Sequence, residues 1–241
     1  MLLPIAPDEP ERLREVIAAG LEADLLLLTG GVSMGKYDLV EQVLARFNAE
    51  FFFTGAQIQP GRPVVFGRIP WGAGTPAREG ERQPFSVEKN AVLKTHGITT
   101  IDEAGSLPAH GFSRHDEATE GRGALAPDSH KYFFGLPGNP VSTMVTFELF
   151  ARPMLEALGG MPPRKLVFLH AMLKSEIKTK PGLKRFLPAI LSGEFEQAGV
   201  ELIPWQGSGD IAATARANCY IVIPPDRERI AAGEWVPLIM R

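Results

Sequence analysis

Leu25-Leu26-Leu27-Leu28-Thr29-Gly30-Gly31-Val32-Ser33-Met34-Gly35 is the stretch that decides the fold. Four successive leucines are what a parallel strand covered on both faces presents, because alternation disappears when neither face meets water. The run enters two adjacent glycines directly. Beyond the loop, Leu39, Val40, Val43, Leu44 and Phe47 make an apolar helical stripe, with Asp38 and Glu41 placed to cap the helix start. Strand, glycine loop and helix in that order are a unit of an α/β sheet.

Working outward, Asp8 and Glu11 form a capping-box pattern ahead of Leu13, Val16, Ile17, Gly20 and Leu21, which predicts a helix over about 9–22. Downstream, Phe51 to Phe53 reads as a strand, Ile58 to Pro63 as a rigid turn and Val64 to Gly67 as another strand. Residues 69–131 break the pattern. They are rich in Gly, Pro, Glu, Arg and His with few sustained apolar periods, and read as a long, loop-rich insertion. Tyr132 to Phe134 resumes as a strand that enters Gly135-Leu136-Pro137-Gly138-Asn139-Pro140. A helix follows, with Asn139 as its cap and Pro140 in its first turn. Val141, Met144, Val145 and Leu149 give that helix an apolar stripe interrupted by Glu148, and Pro153 is expected to kink or end it at Arg152.

After Gly159 to Pro163 the pattern changes to short apolar runs: Leu166 to Met172, Phe186 to Leu191, Val200 to Pro204, Tyr220 to Pro224 and Trp235 to Met240. These predict a small all-β module. The expected organisation is an α/β domain over 1–160 and a β domain over 161–241.

Both glycine loops lie where a buried strand ends and a helix begins, the place where open α/β sheets bind ligands. Loop amides and the helix dipole favour an anion there, and Ser33 and Ser142 offer hydroxyl donors. Each loop alone also serves the structural purpose of turning tightly onto a helix. Gly30, Gly35 and Lys36 match most of a phosphate-loop pattern. Tyr37 stands where the magnesium-binding hydroxyl belongs, and no second strand ending in Asp accompanies it, which argues against a nucleotide hydrolase.

Composition narrows the classes further. The chain has 241 residues, 44% hydrophobic and 22% charged, with a net charge of -3, so it has material for a core and no global basic field for nucleic acid. Cys219 is the single cysteine and has no internal disulfide partner. The N-terminus lacks the charged and apolar regions of a signal peptide, and no apolar run is long enough to span a membrane, so a cytoplasmic protein is expected.

Four segments, Thr29 to Asp38, Gln59 to Pro63, Phe134 to Ser142 and Gln206 to Gly209, occur in an order and spacing similar to those of the molybdopterin molybdenumtransferases, the family of bacterial MoeA and the gephyrin E domain. The resemblance covers almost all of the chain outside the insertion. It implies a parallel-sheet, MogA-like molybdopterin-binding domain followed by the family's terminal β domain. It also implies molybdate and adenylylated molybdopterin as substrates, Mg2+ as cofactor and AMP as product.

Carried over by position, the resemblance makes Asp38 and Arg62 catalytic, with Asp38 also the metal ligand and Arg62 a fixed cation for molybdate or phosphate oxygens. Gly30, Gly31, Ser33 and Gly35 match the loop that holds the pterin phosphate region. Pro137, Gly138, Asn139 and Pro140 match the second loop of the same pocket, and Ser208 the β-domain motif.

There are departures. Gln59 replaces the first lysine of the family's Lys-Pro-Gly-Lys turn, and Lys36 stands at a position commonly glutamate. Family members also carry two further N-terminal domains and a strand with an acidic Thr-Gly-Asp-Glu motif ahead of the helix with which this chain starts, so the sequence reads as N-terminally truncated. The competing reading is a non-catalytic molybdopterin-binding or scaffold module. Pairing with itself as a homodimer, or with a separate N-terminal part, is the association that would complete the site.

Other residues have plainer readings. His96, His110, His115 and His130, with Asp116 and Glu117, fit no compact metal motif and read as solvated loop. Lys174, Lys178, Lys180, Lys184 and Arg185 read as a solvated basic face that can attract an anion. Cys219 reads as a buried inert thiol, and Trp205 as β-core filler or a wall of the cleft.

Overall fold

The computed structural model of the chain describes residues 1–32, 39–70, 130–162, 165–204 and 209–241. In chain order its first part runs α1 (Pro10–Gly20), β1 (Leu25–Thr29), α2 (Leu39–Arg46), β2 (Glu50–Phe53), β3 (Ile58–Gln59), β4 (Val65–Pro70), β5 (His130–Leu136) and α3 (Pro140–Thr146). A π-type turn over Phe147–Ala151 joins α3 to α4 (Arg152–Leu158).

Among the described residues β1, β5, β4 and β2 form one sheet in that order. β1 and β5 are parallel, from Leu25 opposite Tyr132 to Thr29 opposite Leu136. The remaining pairs, β5 with β4 and β4 with β2, are antiparallel, so the sheet is mixed where the sequence predicts a parallel one. The reason lies in the connection. Pro70 is the register partner of His130, which makes β4 and β5 the two arms of one hairpin, and hairpin arms run antiparallel. Residues 71–129 separate the arms in sequence and hide the short turn by which a hairpin is recognised. At the ends of the expected insertion of 69–131, Ile69, Pro70, His130 and Lys131 are strand residues, and the rest of it lies outside the described residues.

The period of two along β5 divides the core. Phe133 faces one side and packs with Leu13, Ile17 and Leu21 around α1 and with Val40, Val43 and Leu44 of α2. Tyr132, Phe134 and Leu136 face the other side, against Val145, Leu149, Phe150 and Met154. Phe66 stacks on Phe134 with ring centroids 4.3 Å apart. β1 is less enclosed than its leucine run suggests, since it lies at the sheet edge and Leu27 is 37% exposed.

Two local expectations change. The box between Asp8 and Glu11 does not form: Glu9 takes the cap position of α1 without a side-chain bond, because Pro10 fixes the first turn. Glu11 pairs with Arg46 at 2.8 Å instead. Pro153, expected to kink or end the helix at Arg152, does not end it. The Arg152 amide donates to the Phe147 carbonyl, five residues back, and this widened turn absorbs the missing donor and the bulk of the proline ring, after which α4 continues.

The second part runs β6 (Leu169–Leu173), β7 (Ile177–Lys178), β8 (Lys184–Ser192), β9 (Gly199–Leu202), α5 (Ile211–Arg216), β10 (Cys219–Ile223), β11 (Arg229–Ile230) and β12 (Trp235–Met240). β10, β12, β6, β9 and β8 pair in succession, and β8 pairs back to β10, closing a barrel. Leu173, Ala189, Val200, Cys219, Ile221 and Leu238 fill it.

The two parts are joined twice. Phe186, Tyr220, Val222 and Ile239 of the barrel share one apolar core with Phe134 and Phe150. β3, which the sequence shows only as part of a turn, adds in parallel to β8, Ile58 opposite Lys184 and Gln59 opposite Arg185. Phe186 is 1% exposed, so Phe186→Ala is expected to cost about 3–5 kcal/mol, the range for an emptied aromatic site. Urea unfolding followed by circular dichroism measures this, and a cost under about 1 kcal/mol would mean that the shared core does not couple the two parts.

Candidate functional site

β1 and β5 are parallel neighbours, so the chain leaves both at the same end of the sheet, and the two glycine loops meet there. The Gly30 amide donates to the Leu136 carbonyl at 3.1 Å. A Cβ built on Gly138 would lie 3.2 Å from the Gly30 Cα, so the loops meet backbone to backbone and a side chain at 138 would press on the Gly30 backbone. Gly30 and Gly31 both have positive φ, 86° and 67°, the left-handed conformation that glycine adopts without cost.

Asn139 organises the second loop. Its side-chain oxygen accepts from the amides of Val141 at 3.1 Å and Ser142 at 3.2 Å, as predicted for the cap of α3. The Ser142 hydroxyl is turned to the same oxygen at 3.4 Å and is buried, so it is no donor to a ligand in this arrangement. Two first-turn amides are therefore already occupied. Among the described residues the amides of Gly31, Gly138 and Asn139 have no hydrogen-bond partner, and Gly31 and Gly138 are exposed. Unpaired backbone amides beside a loop crossing are a chemical match for oxyanion oxygens.

The third motif lies against the same helix. A Cβ on Gly61 would meet the Thr146 side chain at 2.5 Å and the Ser142 carbonyl at 3.5 Å, so the Gln59 to Pro63 turn is seated on α3. Arg62 projects outward from it, exposed and without an ion-pair partner among the described residues. The far end of the fourth motif, Gly209, leads into α5, which packs on α3. Asp210 caps α5 by accepting from the Ala213 amide at 2.8 Å, and Arg241 donates to the Thr214 and Ala217 carbonyls at its other end. Sequence reading missed α5, although Asp210 before an alanine-rich run is a helix-start signal.

Of the predicted site residues, Gly30, Gly31, Arg62, Pro137, Gly138, Asn139 and Pro140 are thus placed on or beside two touching loops and one helix. Ser33, Gly35, Asp38 and Ser208 lie outside the described residues, as do Lys36, Trp205 and the histidines at 96, 110 and 115. The described members of the four motifs contain no carboxylate, and no group of three metal-binding side chains forms among the described residues. No described helix is long and apolar enough to cross a membrane.

Two family models match the chain. One, described as a probable molybdopterin binding domain, covers residues 2–157, and the other, described as the MoeA C-terminal region (domain IV), covers residues 170–240. The chain belongs to the molybdopterin-binding family. Among curated relatives it is 27% identical to a molybdopterin molybdenumtransferase of Haemophilus influenzae, over 98% of this chain and 44% of that protein. It is 26% identical to one of Nostoc sp., over 98% of this chain and 42% of that protein. The chain therefore spans about two fifths of the length of these relatives. Solved structures share its fold: a MoeA protein from Pyrococcus horikoshii matches with a TM-score of 0.58 at 23% identity, over 98% of this chain and 42% of that one. A molybdenum cofactor biosynthesis protein from Pyrococcus furiosus matches with a TM-score of 0.56 at 19% identity, over 98% and 56%.

Two measurements test this description. Asn139→Ala is expected to lower stability by about 1 kcal/mol through loss of the cap, with Asn139→Asp retaining most of it, as read from thermal unfolding. Burial pushes the Cys219 thiol up to about 11, so it stays protonated at pH 8. A thiol reagent should label Cys219 only after denaturant is added; rapid labelling of the native chain would contradict its place in the barrel interior.

Proposed function

We propose that the chain contributes the binding site at which molybdate is inserted into adenylylated molybdopterin with release of AMP. The observation that carries this reading is the backbone crossing of Gly30 and Gly138, which gathers uncommitted amides beside the turn of Arg62. Such a site places and stabilises anions. No protein nucleophile is required, because the substrate's own dithiolene sulfurs take the metal, and the protein's work is positioning and electrostatic stabilisation.

In this reading Gly30, Gly31, Ser33 and Gly35 face the pterin phosphate region, and Pro137, Gly138, Asn139 and Pro140 close the pocket from β5. Arg62 attracts the oxyanion, and Ser208 approaches from the β domain. Asp38 is the single carboxylate within the four motifs and the group suited to a hard cation such as magnesium. The division into 1–160 and 161–241, a MogA-like fold for the first part and a cytoplasmic setting belong to the same proposal. So does association with a second copy or a separate N-terminal part, which the edge position of β1 supports.

Calorimetry of the chain with adenylylated molybdopterin, with and without magnesium and molybdate, tests the proposal when AMP release is followed in parallel. The expected result is magnesium-dependent binding that Asp38→Ala weakens by about tenfold or more, the scale of a lost charged contact. Binding without AMP release would favour a non-catalytic molybdopterin-binding scaffold, and absence of binding would overturn the assignment for this chain.

A further inference from the structure

We propose that Arg185 of the β domain, held against Gln59, is a second oxyanion-contacting cation beside Arg62 and helps determine which anion the site accepts. The inference rests on the reading above and deepens it. Gln59 and Arg62 are the two polar side chains of the Gln59-Pro60-Gly61-Arg62-Pro63 turn, and only one of them carries charge. The neutral one does not stand alone. Gln59 and Arg185 are register partners across the parallel β3–β8 pair, and the Arg185 Nη1 donates to the Gln59 Oε1.

Arg185 is also fixed from its own side of the seam. Its Nε and Nη2 donate to the Lys180 carbonyl at 3.2 and 3.0 Å. Three contacts from two chain segments hold a half-buried guanidinium in one orientation, which reduces the ordering cost of engaging an anion. A guanidinium has five N–H donors, so some remain free after these bonds.

The partners leave its charge intact. Arg46, Arg68, Arg152, Arg227 and Arg229 are each paired with a glutamate. Arg62 and Arg185 make no ion pair among the described residues, although they flank the same turn. Register partners on neighbouring strands are about 5 Å apart, and three residues of chain span at most about 11 Å, so the backbones of the two arginines are close enough for their long side chains to address one tetrahedral dianion. Lys180, whose carbonyl holds Arg185, adds a further positive charge near it. The neutral residue at position 59 thus acts as a positioning residue, and the cation comes from the opposite strand.

The test uses the full chain with molybdate alone as probe, by isothermal calorimetry, with sulfate as the comparison anion and thermal unfolding as a folding control. Arg185→Ala is expected to weaken molybdate binding about tenfold or more. Gln59→Lys in the Arg185→Ala background should restore it to within about threefold of the original chain. Arg185→Lys, which keeps charge and loses the fork, should fall between. Unchanged molybdate affinity in a folded Arg185→Ala chain, failure of Gln59→Lys to rescue, or no molybdate binding by the original chain would each overturn the proposal. Arg185-dependent molybdate binding by a chain that ignores adenylylated molybdopterin would support the cation assignment while refuting the broader reading.

Discussion

Parallel pairing of β1 with β5 is the constraint on which the rest of the site depends. Parallel neighbours point their carboxyl ends the same way, so the two glycine loops emerge side by side, and the Gly30 amide to Leu136 carbonyl bond ties them together. If β5 were reversed, the Gly138 loop would lie at the opposite end of the sheet. β5 itself is held from both faces, by Phe133 against α1 and α2 and by Phe134 against the helices and the barrel. Packing on two sides of one strand therefore fixes where the Gly30 and Gly138 backbones meet.

Much of this was legible in the sequence because it depends on local chemistry. The leucine run, the glycines of positive φ and the Asn139-Pro140 cap each follow from what neighbouring residues can adopt. What escaped depends on distant partners. The β4–β5 hairpin was hidden by the residues between its arms, and β3 is two residues long, too short for any periodicity to mark. Asp8 and Glu11 had the right spacing for a capping box, yet Pro10 and Arg46 decided the outcome. Arg185 looked like part of a solvated basic face, because nothing local reveals that Gln59 lies opposite it. Family membership was legible from four ordered motifs, and it is the matches over residues 2–157 and 170–240 that establish it.

The charge distribution fits a site for small anions. A chain with net charge -3 offers no long-range attraction to polyanions, while Arg62 after β3 and Arg185 of β8 make no ion pair among the described residues. Glutamates neutralise arginines elsewhere on the surface, as at Arg68 and Arg229. Because the barrel and the α/β part share one apolar core, the cations from each are held in a fixed relation, and both can be present before a ligand arrives.

The pairing of Pro70 with His130 has a separate consequence. Facing residues in an antiparallel ladder are about 5 Å apart, so the ends of the 71–129 segment are already closed by the sheet. The entropy of closing a flexible loop rises only logarithmically with its length, by about 0.6 kcal/mol per doubling. The sheet thus leaves a gap of about one strand spacing for the connection between β4 and β5 to close, so the length of that connection weighs little on the pairing of the two strands.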